Sequence, residues 1–220
     1  MTLEKLFLVP GEGLPEIWPE HDVVFVAVSE SEENLAVLDA LGRKLANWPK
    51  PVLNRPSGIA KLIRDRAYGI LRDCGGSFMP VNRRIGRADL AGVAAGAQSI
   101  SAFTESGFPI IARPVDSHAG HGLQKLANCE AIADYLRQQD EEEFFVSPFI
   151  DYSSADRWFR KYRIALVDGV AFPVHMAVSR AWMVHYLTAN MMDNAANRAQ
   201  DAQFMLFFAG GFGLRHGAAV

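Results

Sequence analysis

Short apolar runs alternate with helical stripes along the first third of the chain. Residues 22–28 (DVVFVAV) are valine-rich and predict a buried strand. The pattern then changes to a helical period over about 31–47. Ser29 and Glu32 stand at capping-box spacing, and Leu35, Leu38, Leu41 and Leu45 recur on one face. Pro49 and Pro51 end that helix, and residues 51–54 (PVLN) predict a second short strand. A second helix is expected over about 57–72, with Ile59, Leu62, Ile63, Ala67 and Ile70 on one stripe. Strand, helix, strand, helix implies a small parallel α/β unit.

Gly75 and Gly76 break the pattern, and residues 78–81 resume it as an extended segment. Arg83, Arg84 and Arg87 follow, for which a solvated surface is the plainer reading. Residues 88–97 predict a short helix. Residues 108–112 (FPIIA) form an apolar run bounded by Gly107 and Pro114, long enough for a buried strand. Arg113 stands at its end, before a polar loop holding Asp116, Ser117, His118, Gly120, His121 and Gly122. A strand-end cation followed by a Gly/Ser/His loop suits a polyphosphate. Glycine lets backbone N–H groups turn toward an anion, and arginine offers a planar fork. An ordinary turn between strand and helix explains the same residues. Asn128 should cap a helix reaching about residue 138, with Ile132, Tyr135 and Leu136 inward. Residues 143–150 read as a strand that Pro148 confines to an edge or a bend. Residues 158–178 read as a hairpin turning at Asp168-Gly169. Residues 182–187 could be a further strand or a loop. A last helix is expected over about 193–208, with Asp193 near its positive end.

Composition removes some function classes. The 220 residues carry a net charge of −3, so no overall basic field points to nucleic acid. The two cysteines, Cys74 and Cys129, lie far apart without metal spacing, which makes a reduced, cytoplasmic setting the expectation. No stretch reaches the roughly 18 apolar residues of a membrane span, and the N-terminus lacks a secretion signal's core and cleavage site. No contact with nucleic acid or membrane is expected.

Several short motifs occur in a telling order. They are Asn54-Arg55-Pro56 leading into a helix, Asp65-Arg66 within it, Met79-Pro80, and Ile110-Ile111-Ala112-Arg113-Pro114 with its glycine loop. Val146-Ser147-Pro148-Phe149-Ile150, Lys161-Tyr162-Arg163-Ile164 and a segment from Ser179 to Trp182 follow. Over roughly residues 54–190 this series resembles the ATP-grasp superfamily, in particular bacterial members of poorly defined function. The resemblance implies an α/β (α+β), ATP-grasp-like fold. Residues 1–76 would form a partial, small parallel α/β pre-domain. Residues 77–220 would form an ATP-grasp domain with a mainly antiparallel sheet, incomplete at its C-terminus. It implies ATP as ligand and, in the family, ligation of a carboxylate to an amine or thiol. By the same resemblance Arg66 and Arg113 would hold phosphates where lysines are usual. Ser117, Gly120, His121 and Gly122 would form the lid. Residues 146–150 would be the hinge strand beside the adenine, through Ser147, Phe149 and Ile150. Lys161 would add a further nucleotide contact, and Arg163, His175 and Arg180 would face the substrate.

Each of these residues also has a plain reading. Arg66 fits the solvent face of an amphipathic helix, and Lys161 and Arg163 fit the outer face of a hairpin strand. His175 and His185 fit structural histidines. A metal at His118-x-x-His121 lacks a third ligand on a rigid element. The family also implies Mg²⁺, held by late acidic residues that include a Glu-x-Asn motif. That motif is not evident here: the last glutamate is Glu143, and only Asp151, Asp156, Asp168, Asp193 and Asp201 follow. The chain therefore reads as a shortened ATP-grasp member. The alternative to a ligase is a non-catalytic or degenerate module, one that needs a partner chain or oligomer or that binds nucleotide only.

Overall fold

The structure, a computed structural model, describes residues 2–216. They form two compact units, one of residues 2–71 and 80–148, the other of 72–79 and 149–216. Mixed α/β architecture with a small parallel sheet followed by antiparallel sheets is the class the sequence led to. No helix among the described residues is long and apolar enough to cross a membrane.

In the first unit the valine run forms only a short strand, β1 (Val24–Phe25). It pairs in parallel with β2 (Val52–Leu53), with α1 (Leu35–Leu45) between them in sequence. Val26, Val37, Leu41 and Leu45 are buried together there, with Trp18 and Trp48 packed alongside. The expected capping box does not form. Ser29 Oγ accepts from Asn34 Nδ2 at 2.9 Å, and the Glu32 carboxylate goes to Arg84 instead. Glu32 N–H donates to the Asp116 carboxylate, at 3.0 and 3.1 Å to its two oxygens. Long-range partners have taken the groups that a local cap would use. The second expected helix is two pieces, α2 (Pro56–Ile59) and α3 (Arg64–Leu71). Tight turns through Lys61 and Leu62 separate them and carry Ile63 into the interior. Gly58, a poor helix former, lies in the first piece.

The extended segment expected at 78–81 is irregular, and the strand lies later, as β3 (Arg83–Gly86). Next come α4 (Arg87–Ala94), α5 (Ser101–Thr104), β4 (Ile110–Pro114), β5 (Gln124–Leu126), α6 (Cys129–Gln138) and β6 (Glu143–Pro148). The sheet order is β3-β6-β4-β5, and every neighbouring pair is antiparallel. The strand β6 is therefore central, not at an edge. Pro148 is its last residue, opposite Ile110, where a missing N–H interrupts nothing further along the ladder. One sheet face packs Ile85, Ile110, Ala112, Phe144 and Val146 against Leu90 and Val93 of α4 and against Ile132 and Tyr135 of α6. Asn128 caps α6 as expected, accepting from Ala131 N–H at 2.9 Å.

The arginine cluster is not a solvated surface. Arg87 donates to the carbonyls of Leu136, Gln139 and Glu141, tying down the C-terminal turn of α6. Arg84 forms ion pairs with Glu32 and Glu143. Arg83 is the most exposed of the three, with Glu105 at 3.2 Å.

In the second unit β7 (Phe159–Val167) and β8 (Val170–Ser179) form the expected hairpin. Asp168 and Gly169 turn it with positive φ, as a two-residue turn requires. A register shift falls between Arg163 and Ile164. Residues 182–187 are turns, not a further strand. The helix α7 (Ala195–Leu206) begins at Asn194, whose side chain accepts from Ala196 and Asn197 N–H. Buried Asn197 donates to the carbonyls of Val178 and Ala189, and Phe204 packs with Met176 and Val178.

Gly122 shows how closely the loop after β4 is seated. Its φ is +62°, and a Cβ there would stand 2.6 Å from Pro114 Cδ and 2.8 Å from Gln139 Oε1. Gly122→Ala should cost more than about 2 kcal/mol in urea unfolding, through backbone strain and overlap together. Gly13→Ala, where nothing lies within 4 Å, should leave the midpoint nearly unchanged.

Candidate functional site: a buried arginine on the outer face of the sheet

In β4 the residues facing the helices are Ile110, Ala112 and Pro114, and Arg113 points to the other face. Arg113 is nevertheless only 9% exposed, so this face is covered at that point. Register places Arg84, Phe145 and Arg113 opposite one another across β3, β6 and β4. Paired residues share a face, so two arginines flank a phenylalanine in one row. Phe145 is itself 5% exposed.

The two arginines are neutralised differently. Arg84 reaches two carboxylates, which raise its pKa, and it holds the Glu143 carboxyl below its usual range. Arg113 has only neutral partners. Its Nε donates to Ser117 Oγ at 3.1 Å, and its Nη2 donates to Ser117 Oγ at 3.0 Å and to Ser117 O. Ser117 Oγ in turn donates to Pro114 O at 2.8 Å. Burial, with the like charge of Arg64 second, pushes Arg113 down to about 10. It still carries its proton at neutral pH. Arg64, at the start of α3, is exposed as a residue, yet burial of its guanidinium lowers its pKa and nearby Glu30 partly opposes the drop.

A small recess lies here, lined by Glu30, Ser31, Arg64, Ser117, His118 and Phe145. It encloses about 20 Å³, room for roughly one water. The 116–122 loop closes it. Asp116, Ala119, Gly120 and Gly122 all hold positive φ, and Gly122 O accepts from the buried Tyr135 hydroxyl at 2.9 Å. Burial raises the Tyr135 pKa, which keeps that hydroxyl a donor.

The remaining residues singled out from sequence fall as follows. Ser147 lies on the same outer face, opposite Ile111 and two pairs along from Arg113. Gly120 and Gly122 are half-buried in the loop, and His121 is exposed. Arg66 is exposed on α3 and donates to Ala60 O at 3.3 Å. In the second unit Phe149 meets Trp182 edge to face with ring centres 5.8 Å apart, and Ile150 is exposed. Lys161 and Arg163 are exposed on β7. Arg163 is paired in register with His175, whose ring lies 4.7 Å from that of Tyr186. Arg180 stacks over the Trp158 ring at 4.6 Å. Sequence reasoning passed over Arg64, Glu30 and Lys125, the last opposite Ile111 on the same face as Ser147. Nothing local marks Arg64 over Arg66, since both lie within one turn of α3.

Magnesium can be tested against the late acids. Asp151 accepts from Ser153 N–H, Asp156 pairs with Arg160, and Asp201 accepts from Met176 N–H at 2.7 Å and faces the Tyr186 hydroxyl. No group of three or more His, Cys, Asp or Glu gathers among the described residues. These acids serve local structure and do not fit a shared metal centre.

The Arg84 pairs give this face a pH dependence. Glu143 is more acidic folded than unfolded, so its contribution is complete above its usual carboxylate value and is lost as pH falls through the depressed one. Arg84→Met should lose about 1 kcal/mol at neutral pH and low salt, the pairs being partly exposed. It should also flatten the acid limb of stability against pH, read by urea unfolding from pH 7 down to 3.

No protein-family model matches the chain, and no curated protein matches it. Solved structures similar to it in part include these two. One is the D-alanine–D-alanine ligase of Helicobacter pylori, 12% identical with a TM-score of 0.41, over 63% of this chain and 40% of that one. The other is a RimK domain protein ATP-grasp from Sphaerobacter thermophilus, 18% identical with a TM-score of 0.43, over 72% of this chain and 55% of that one. The chain thus spans about half the length of the solved structures it resembles.

Proposed function

We propose that the first unit binds the phosphate groups of ATP at Arg113, as its sequence resemblance to ATP-grasp proteins implies. One observation carries the reading: of two arginines flanking Phe145, Arg84 is matched by carboxylates and Arg113 is not. A guanidinium taken out of water without a counter-anion is costly, and a phosphate would supply two charge-assisted bonds to its fork. Ser117 holds that fork in place. Arg64 is the second cation of this proposed site, in preference to Arg66, because it lines the recess with Ser117 and Phe145. Ser147 and Lys125 extend the same face toward the rest of a nucleotide.

A recess of 20 Å³ does not hold a phosphate, so binding requires the 116–122 loop to lift. Lifting releases the Asp116 carboxylate from Glu32 N–H, and hydrogen bonds donated by Arg113 and Arg64 to phosphate replace that contact.

Ligation of a carboxylate to an amine or thiol is what the resemblance implies for a complete ATP-grasp enzyme. A second reading, a nucleotide-binding module that is not catalytic alone, is favoured by the commitment of Asp201 and Asp156 to structural bonds. In that reading a partner chain would supply the acids of a ligase.

Thermal unfolding with ATP tests the site. At a hundredfold excess over Kd, ATP should add about 2.7 kcal/mol, a rise of roughly 5–10 °C for a chain of this size. Arg113→Ala should abolish the increment. Arg64→Ala should weaken binding about tenfold, the worth of one charged hydrogen bond. Arg66→Ala should leave it unchanged. No increment in the native protein, or an equal one in Arg113→Ala, rejects the assignment.

A further inference from the structure

The outer half of the β7–β8 hairpin carries an exposed apolar face. Register sets Lys161 and Arg163 beside Ala177 and His175, and Ala165 and Val167 beside Phe172 and Val170. Paired residues share a face, so all of these lie on one side of the ribbon. The inner half of that side is covered: Ala177 packs with Val184 and Met191, and the His175 ring meets Tyr186. The outer half is open, with Val167, Val170 and Phe172 at 59%, 54% and 49% exposure. The opposite side of the ribbon is taken by α7, where Phe204 packs with Met176 and Val178.

Charge is divided around this patch. Lys161 and Arg163 border it toward the base of the hairpin, and Asp168 stands at the tip. All three are exposed, and among the described residues none of them forms an ion pair. Arg163 and Asp168 are about 17 Å apart along the ribbon, with the apolar residues between them. A surface with cations at one end, an anion at the other and apolar groups between is complementary to itself turned end for end.

We infer that a second copy of this chain covers the patch. The two hairpin faces pack across a two-fold axis perpendicular to the strands, tip over base. Val167, Val170 and Phe172 of the two copies bury one another, and Asp168 of each copy meets Lys161 and Arg163 of the other. Packing by the face is favoured over pairing by an edge. Along the outer edge of β8, Met176 N–H and Val178 O already bond to Asp201 and Asn197, and Pro173 has no N–H to offer. β7, paired antiparallel over its whole length with its own copy, would set Arg163 against Arg163. The patch is small, which places the dimer among weak, transient ones.

The test is sedimentation of the full chain from micromolar to millimolar concentration, without nucleotide and under reducing conditions, so that exposed Cys74 forms no disulfide. The native protein should pass reversibly from monomer to dimer. Two charge variants are then compared, one with Lys161→Glu and Arg163→Glu together, the other with Asp168→Lys. Each alone sets like charges against each other at both ends of the interface and should dimerise at least about tenfold more weakly. Mixed in equal amounts, they regain both attractions and should form a heterodimer about as tightly as the native pair, a result that also shows both variants folded. Phe172→Ser, which leaves the turn alone, should weaken the native dimer about tenfold as well. A native chain that stays monomeric throughout overturns the inference. So does a dimer that Phe172→Ser leaves intact, or a pair of folded charge variants that mixing does not restore.

Discussion

A guanidinium buried on the outer face of a sheet sets the terms for the first unit. Arg113 belongs to β4 by its ladder, so it cannot leave the sheet without breaking the pairing to β6. Taking its charge out of water costs several kcal/mol unless hydrogen bonds replace the lost hydration. Ser117 accepts three of them and donates its own hydroxyl hydrogen bond to Pro114 O. For Ser117 to reach back, the chain must turn at once after β4, and Asp116 adopts positive φ to do so. Gly122 then returns the chain beneath Pro114 toward β5, fixed by the Tyr135 hydroxyl. The shape of the loop follows from the need to satisfy one cation.

The same face joins the small parallel sheet to the antiparallel one. Glu32 is the connecting residue. Its carboxylate meets Arg84 on β3, and its N–H meets Asp116 in the loop. Anion and cation are matched at Arg84 and unmatched at Arg113, two strands away in the same row. Arg64 and Glu30 complete the surroundings from the other side of the recess. A polyanion is the ligand that this imbalance would accept, and lifting Asp116 is the movement that would admit it.

Features fixed by neighbours in sequence were legible before the structure. The strand with Arg113, the Asn128 cap and the Asp168-Gly169 turn each depend on a few adjacent residues. What could not be read depended on distant partners. β3 holds one buried side chain, Ile85, and takes its shape from pairing with β6, so its arginines resembled a surface. Pro148 suggested an edge because its place at the end of a ladder is settled by β4. Ser29 and Glu32 had the spacing of a cap, but Arg84 and Asp116 outcompete it. Arg64 and Arg66 stand two positions apart on α3, on opposite sides of the helix, and only the fold decides which side meets the recess. Of the candidate site, the strand, its arginine and its loop were therefore visible, and the surrounding charges were not.

Under the proposed function Arg113 is a held cation, unmatched by any carboxylate, that phosphate would pair. Its Nε–Hε signal in a ¹H–¹⁵N spectrum reports on it directly while inorganic tripolyphosphate is titrated into the native protein. Phosphate binding at Arg113 predicts a saturable shift of that signal together with the backbone amide of Asp116, while Arg84, already paired, stays in place. Saturable binding that moves other arginines and leaves Arg113 and Asp116 where they were would contradict it.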